Sequence, residues 1–151
     1  MPEKKTLERA SKDKREGKAP STQAGEFVRE EMDHIREGKH GARSAKQAIA
    51  IGLSKARRAG VKLPPPKEGQ TSERTRAQAA RDNAKGADPS GRKPSPKRSR
   101  AVTSALKREG HAAASHTALS RQAHASAAKR GPARRSQAAR KAARTRARES
   151  R

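Results

Sequence analysis

The chain has 151 residues, with 39 Lys and Arg against 15 Asp and Glu, a formal net charge of +24, one aromatic residue and no cysteine. Leu, Ile, Val and Phe together number 12, well under the share of about 20% below which a highly charged chain is expected to be disordered. Ordering each residue costs on the order of 1–2 kcal/mol of chain entropy, so this composition excludes an ordinary enzyme domain built on one large apolar core.

Residues 1–20 read as a charged N-terminal segment, with a helix expected over 5–16 and only Leu7 and Ala10 as apolar marks. Residues 21–63 read as a helix–loop–helix module. Its first helix is expected over about residues 23–37, capped by Ser21 or Thr22. Ala24, Val28, Met32 and Ile35 recur at helical spacing, with Phe27 at the edge of the stripe. Arg29, Glu30, Asp33, Arg36 and Glu37 fall on the far side, and the pair Glu30–Glu31 reads as solvent-facing charge. Gly38 is a natural stop.

A six-residue basic loop, Gly38-Lys39-His40-Gly41-Ala42-Arg43, leads to a second helix expected over about residues 45–59. Ser44 and Gln47 have capping-box spacing. Ala45, Ala48, Ile49, Gly52, Leu53 and Ala56 form its apolar face, and the small residues Ala48, Gly52 and Ala56 allow close antiparallel approach. Gly60 is the expected residue just past the helix, with Val61 making the apolar contact beyond it. Ile51 points off this face and offers a surface for self-association or a protein partner.

Pro64, Pro65 and Pro66 open a linker over residues 64–70 that ends any preceding helix. From residue 64 on there are 23 basic and 6 acidic side chains, 21 alanines, and only Val102, Leu106 and Leu119 as large apolar residues. Residues 71–151 are therefore expected to be an intrinsically disordered, helix-permissive cationic tail. Residues 71–85, 101–109, 112–129 and 136–149 permit helix, but the first has no large apolar residue with which to dock. The expected fold is all-α: a small helical hairpin plus this long disordered basic tail.

Such a charge calls for a polyanion, since neutralising phosphates releases condensed counterions without reading sequence. The candidate phosphate contacts in the module are Lys39, Arg43, Lys46, Lys55, Arg57 and Arg58. Lys39, His40 and Arg43 lie near the amino end of the second helix, as a phosphate cradle would. In the tail they are Arg92, Lys93, Lys97, Arg98 and Arg100, then Lys129, Arg130, Arg134, Arg135, Arg140, Lys141, Arg144, Arg146 and Arg148. Arginine forks bind phosphate oxygens bidentately and enter narrow minor grooves. Single-strand binding relies on aromatic stacking platforms, which this chain lacks, so duplex DNA is preferred over RNA. Gln47 has the chemistry to read adenine, but capping is its plainer role. The loop is longer than the turn of a helix-turn-helix reader.

No catalytic, cofactor-binding or metal residue is expected. His34, His40, His111, His116 and His124 include no pair at the i,i+4 spacing of a helical metal site. Without cysteine there are no disulfides or thiolate sites. The serines sit in caps and linkers, and the glycines form no phosphate-binding fingerprint. No apolar run approaches the roughly 20 residues of a membrane span. The first 20 residues lack the apolar stretch of a signal peptide. The expectation is a soluble cytoplasmic protein, at the nucleoid, with no membrane partner.

The string Ser21-Thr22-Gln23-Ala24-Gly25-Glu26-Phe27-Val28-Arg29-Glu30-Glu31, then His34 to Ser44, then Lys46-Gln47-Ala48-Ile49-Ala50-Ile51-Gly52-Leu53-Ser54-Lys55-Ala56-Arg57-Arg58-Ala59-Gly60, resembles a bacterial domain of unknown function found in short, very basic proteins. The resemblance covers roughly residues 1–66. It implies a bacterial cytoplasmic protein; DNA binding is ascribed to some members by inference, and there are no catalytic residues to carry over. The Ala/Lys/Arg/Pro tail, with Ser95-Pro96-Lys97-Arg98, is similar to linker-histone tails and their Ser-Pro-basic motif. The expected function is sequence-nonspecific DNA binding, nucleoid-associated or linker-histone-like. The alternatives are an adaptor that binds a protein through the helical module, and an RNA- or ribosome-associated basic protein.

Overall fold

Glycine and alanine placement decides most of the architecture. The computed structural model describes residues 1–88, 90 and 95–150, and among these it is all-helical. The elements are α1 (Lys4–Arg15), α2 (Pro20–Arg36), α3 (Ala45–Arg58), α4 (Glu73–Ala87), α5 (Pro96–Lys107), a 3₁₀ turn (Ala112–Ala114) and α6 (His116–Glu149). Met1–Ser115 pack as one compact unit, and the chain from His116 onward is a second.

The first three helices end alike. Gly38 has φ +74° and Gly60 φ +90°, the left-handed region that glycine enters at least cost. After α3, the Gly60 amide donates to the Arg57 carbonyl and the Val61 amide to Ala56, a Schellman motif. Lys39 to His34 closes α2 and Lys18 to Asp13 closes α1 in the same way. The start of α2 departs from expectation. Ser21 and Thr22 are not its caps; the helix begins at Pro20, preceded by Ala19 with no side-chain cap. Proline suits the first helical position because its fixed φ is helical and the missing amide would be unpaired there anyway.

Helix α2 lies between α1 and α3, so it is buried on two sides. Phe27 is therefore at the centre of the core rather than at the edge of a stripe. It packs with Ala10 of α1, Ala24, Ala56 and Val61, flanked by Leu53 and Leu63. Fully burying a side chain such as Phe27 or Ile35 contributes about 1.5–3 kcal/mol. The α2–α3 contact is close because Gly52 has no side chain: a β-carbon there would lie 2.7 Å from Val28 Cα. Ala48 and Ala56, one turn to either side, are fully buried.

Helix α4 is docked, which corrects the expectation of a segment with nothing to hold it. It packs on α3 with Ala79 and Asp82 buried. The contact is polar. Asp82 accepts from the Ser54 hydroxyl and from Gln78 Nε2, and Arg58 Nε lies 3.5 Å away. Asn83 Nδ2 donates to the Leu63 carbonyl at 3.0 Å. A β-carbon at Gly86 would collide with the Arg57 carbonyl. Small residues and part-buried hydrogen bonds thus replace the apolar side chains that the segment lacks.

The loop after α2 is seated in turn. Gly41 donates to Leu106 O and Ala42 to Gly110 O, while Ala113 and Ala114 of the 3₁₀ turn are buried against α2 and α3. The compact unit therefore extends well past Pro64. The expectation of a disordered tail is corrected as well: α5 and α6 are helices. Alanine and arginine have the best and near-best helix propensities, which favour helix in segments that bury no residue. Helix α6 has no buried residue and is interrupted at Gly131 (φ +72°), with Pro132 opening its second half. Among the described residues no helix is long and apolar enough to cross a membrane.

Candidate nucleic-acid interface

The candidate cations fall into two groups with different surroundings. Those of the module are mostly engaged within the fold. Lys55 Nζ lies 2.6 Å from Glu31 Oε2 and 3.7 Å from Glu30 Oε1. Arg57 is 8% exposed and donates to the carbonyls of Leu63 and Pro64. Burial pulls its guanidinium below the ordinary arginine value, an effect that Asp82 opposes. Arg58 donates to Ser54 O and pairs with Asp82. Lys39 lies 2.9 Å from Glu37 and 3.2 Å from Glu3, and these two carboxylates hold its ammonium above the usual lysine value. Lys55 and Arg57 thus make contacts within the framework of the fold. Of the Lys39–His40–Arg43 cradle, Lys39 is paired with Glu3 and Glu37 and His40 turns inward to Glu31.

Arg43 and Lys46 remain exposed beside the start of α3. Here the Ser44 side chain accepts from the Gln47 amide, and Gln47 Oε1 accepts from the Arg43 amide at 2.8 Å. Gln47 Oε1 is engaged in capping, so a bidentate contact with adenine would cost the helix that bond.

The second group lies in residues 95–150, where 15 Lys and Arg stand against Glu109 and Glu149. All 15 are exposed, and among the described residues none is in an ion pair. Lys97, Arg98 and Arg100 lie on the first turns of α5, and Lys129 and Arg130 just before the break in α6. In the second half of α6, at 100° per residue, Arg134, Arg140, Lys141, Arg144 and Arg148 share one arc of about 120°. Arg135 and Arg146 lie on the other side. Arg92 and Lys93 lie outside the described residues.

One constellation has almost no signature in the sequence. Glu30 and Glu31 are 5% and 0% exposed, not solvent-facing. They are buried because α1 and α3 cover both sides of α2. Around them are Lys55, His40 at 3.2 Å from Glu31, and Glu3, whose amide donates to Glu30 at 3.0 Å. His34 Nε2 lies 2.8 Å from Glu3 Oε1. Donor atoms of Glu31, His34 and His40 lie within 4.8 Å of one another, although the sequence gives no reason to expect a metal ligand. Its one signal there is two histidines flanking the Gly38 turn, one turn and one loop away from an acidic pair.

Residues 17–68 match a family of unknown function, DUF6496. The matched stretch begins after α1 and covers α2, the loop, α3 and the proline segment. No curated protein and no solved structure matches the chain. The match assigns no ligand, so the functional reading rests on the chain's own charge and geometry.

Proposed function

We propose that the protein binds nucleic acid without sequence preference, duplex DNA above all, through the exposed cations of α5 and α6, and coats the chromosome in the manner of a linker-histone tail. The observation that carries this reading is the contrast in ion pairing. Of the candidate cations in the module, Lys39, Lys55 and Arg58 pair with carboxylates and Arg57 with carbonyls, whereas the 15 cations of residues 95–150 face solvent beside two acids. A cation with no internal partner retains its full attraction for phosphate, and each phosphate neutralised releases counterions. The arc on the second half of α6 supports a backbone contact. From Arg134 to Arg148, at 1.5 Å per residue, it runs about 21 Å, which spans several phosphates of one strand.

Base readout is absent from this proposal. Gln47 is occupied as a cap, and the aromatic platforms used to stack on single strands are lacking, with Phe27 buried in the core. The test is competition at fixed salt between random-sequence duplex DNA and a structured RNA of equal length, using the full chain. Preferential retention on the duplex, indifferent to base sequence, is expected. Retention on the RNA alone would overturn the reading in favour of an RNA-associated protein.

A further inference from the structure

We propose that Glu31, His34 and His40 form a binding site for one divalent transition-metal ion, with zinc the best match, that ties the loop after α2 to the helical core. Glu31 is wholly buried, and neither carboxylate oxygen accepts a hydrogen bond of good geometry. Lys55 faces Oε2 as an ion pair at 2.6 Å, and His40 Nε2 faces Oε1 at 3.2 Å. Buried carboxylate oxygens without a well-directed donor are rare, and with Lys55 at Oε2 it is Oε1 that an ion would satisfy.

The second observation is the setting of the His40 ring. Its Nδ1 lies 3.0 Å from the Gly41 carbonyl, which can only accept, so Nδ1 carries the proton. In the neutral ring Nε2 then presents a lone pair to a carboxylate lone pair. Two acceptors facing each other at 3.2 Å are favourable only with a cation between them or a second proton on the ring. A tetrahedral zinc about 2.0–2.2 Å from each ligand atom separates those atoms by roughly 3.3 Å. The observed His40–Glu31 distance already matches. His34 needs only a modest inward shift, since all three donors lie within 4.8 Å.

The surroundings fit a metal site too. Both histidines are only partly exposed, with 12% and 14% of their side chains reaching solvent. With Nδ1 of His34 as the ligating nitrogen, Glu3 at 2.8 Å from Nε2 would fix the ring and raise its basicity, as carboxylates do for ligating histidines elsewhere. Two imidazoles and one carboxylate suit zinc or its neighbours in the first transition row; calcium and magnesium prefer all-oxygen sets. Three protein ligands leave the fourth position to water. The ion would cross-link α2 to a loop already hydrogen-bonded to Leu106 and Gly110.

The test is calorimetric titration of the full chain with zinc chloride in phosphate-free buffer, with Co2+ as a spectroscopic probe. One equivalent of tight binding is expected. His34→Ala and His40→Ala should each weaken it at least tenfold, whereas His111→Ala/His116→Ala/His124→Ala should leave it unchanged. Equal binding by the wild type and both single variants overturns the site, as does loss of binding in the triple variant. Retained helicity by circular dichroism qualifies each single variant. Should one unfold, the wild type's Co2+ spectrum decides, because the intense visible absorption of four-coordinate Co2+ is expected and its absence overturns the site.

Discussion

Asp82 sits 2% exposed in a chain that has few apolar residues to surround it. Its carboxylate gathers Ser54 and Gln78 as donors and Arg58 as counter-charge. Removing it takes the acceptor from the half-buried Ser54 hydroxyl and the counter-charge from Arg58, and hydrogen bonds to a charged group are worth about 1.5–3 kcal/mol each. Asp82→Ala is therefore expected to cost about 2–3 kcal/mol in urea unfolding, and loss of less than about 0.5 kcal/mol would contradict the anchoring role. Glu3 acts through charge at the surface. Hydrogen bonds from His34 and then Lys39 lower its carboxyl below the ordinary glutamate value. A group lowered on folding adds stability that is complete above its unfolded value and is lost as pH falls through its folded value. Glu3→Gln should therefore melt below the wild type at pH 7, with the gap closing once the pH drops under the usual glutamate range. A gap that stays constant into strong acid would show that the carboxylate's charge plays no part. Neither residue's role is legible in the sequence. A lone Asp in an Ala-rich helix and a Glu near the N-terminus look like solvated charge until a neighbouring helix covers them. Glu30 and Glu31 look solvent-facing for the same reason.

At the scale of elements, local signals are legible and docking is not. The Gly38 and Gly60 stops, the Ser44 cap and the small-residue face of α3 all follow from rules confined to one helix, and the observed helices end where those rules place them. What a helix packs against depends on partners far along the chain. Thus α1 and α4, which bury Thr6, Ala10 and Asp13 and Ala79 and Asp82 respectively, have no apolar stripe to announce them. Three glycines separate helix propensity from packing. A β-carbon at Gly25 would have nothing within 4 Å, so Gly25→Ala should stabilise the protein by about 0.5–1 kcal/mol. Gly52→Ala meets the Val28 backbone and Gly86→Ala the Arg57 carbonyl. Each is expected to destabilise by about 1–3 kcal/mol despite the same gain in propensity. Thermal unfolding of the three variants checks this, and stabilisation by Gly52→Ala or Gly86→Ala would contradict the close contacts of α3 with α2 and α4.

For the molecule as a whole, charge is sorted rather than spread. Residues 1–63 carry 16 basic and 9 acidic side chains, many joined in ion pairs that brace α1, α2 and α3. The later helices carry cations with almost no acids. Composition reveals this asymmetry directly, but it does not reveal the helical state of the later segments, since like-charge repulsion and alanine propensity pull in opposite directions. The central claim is that the cations of α6 neutralise phosphates. The most direct test compares the full chain with a full-length variant in which Lys129, Arg130, Arg134, Arg135, Arg140, Lys141, Arg144, Arg146 and Arg148 are replaced by glutamine, a residue of similar helix propensity. Binding to random-sequence duplex DNA is measured across a salt series. The account predicts a steep fall of log K with log salt for the wild type. In the variant that slope should be shallower by about 0.9 for each phosphate left without a cation. An unchanged slope, or no duplex binding by the wild type near physiological salt, would contradict it.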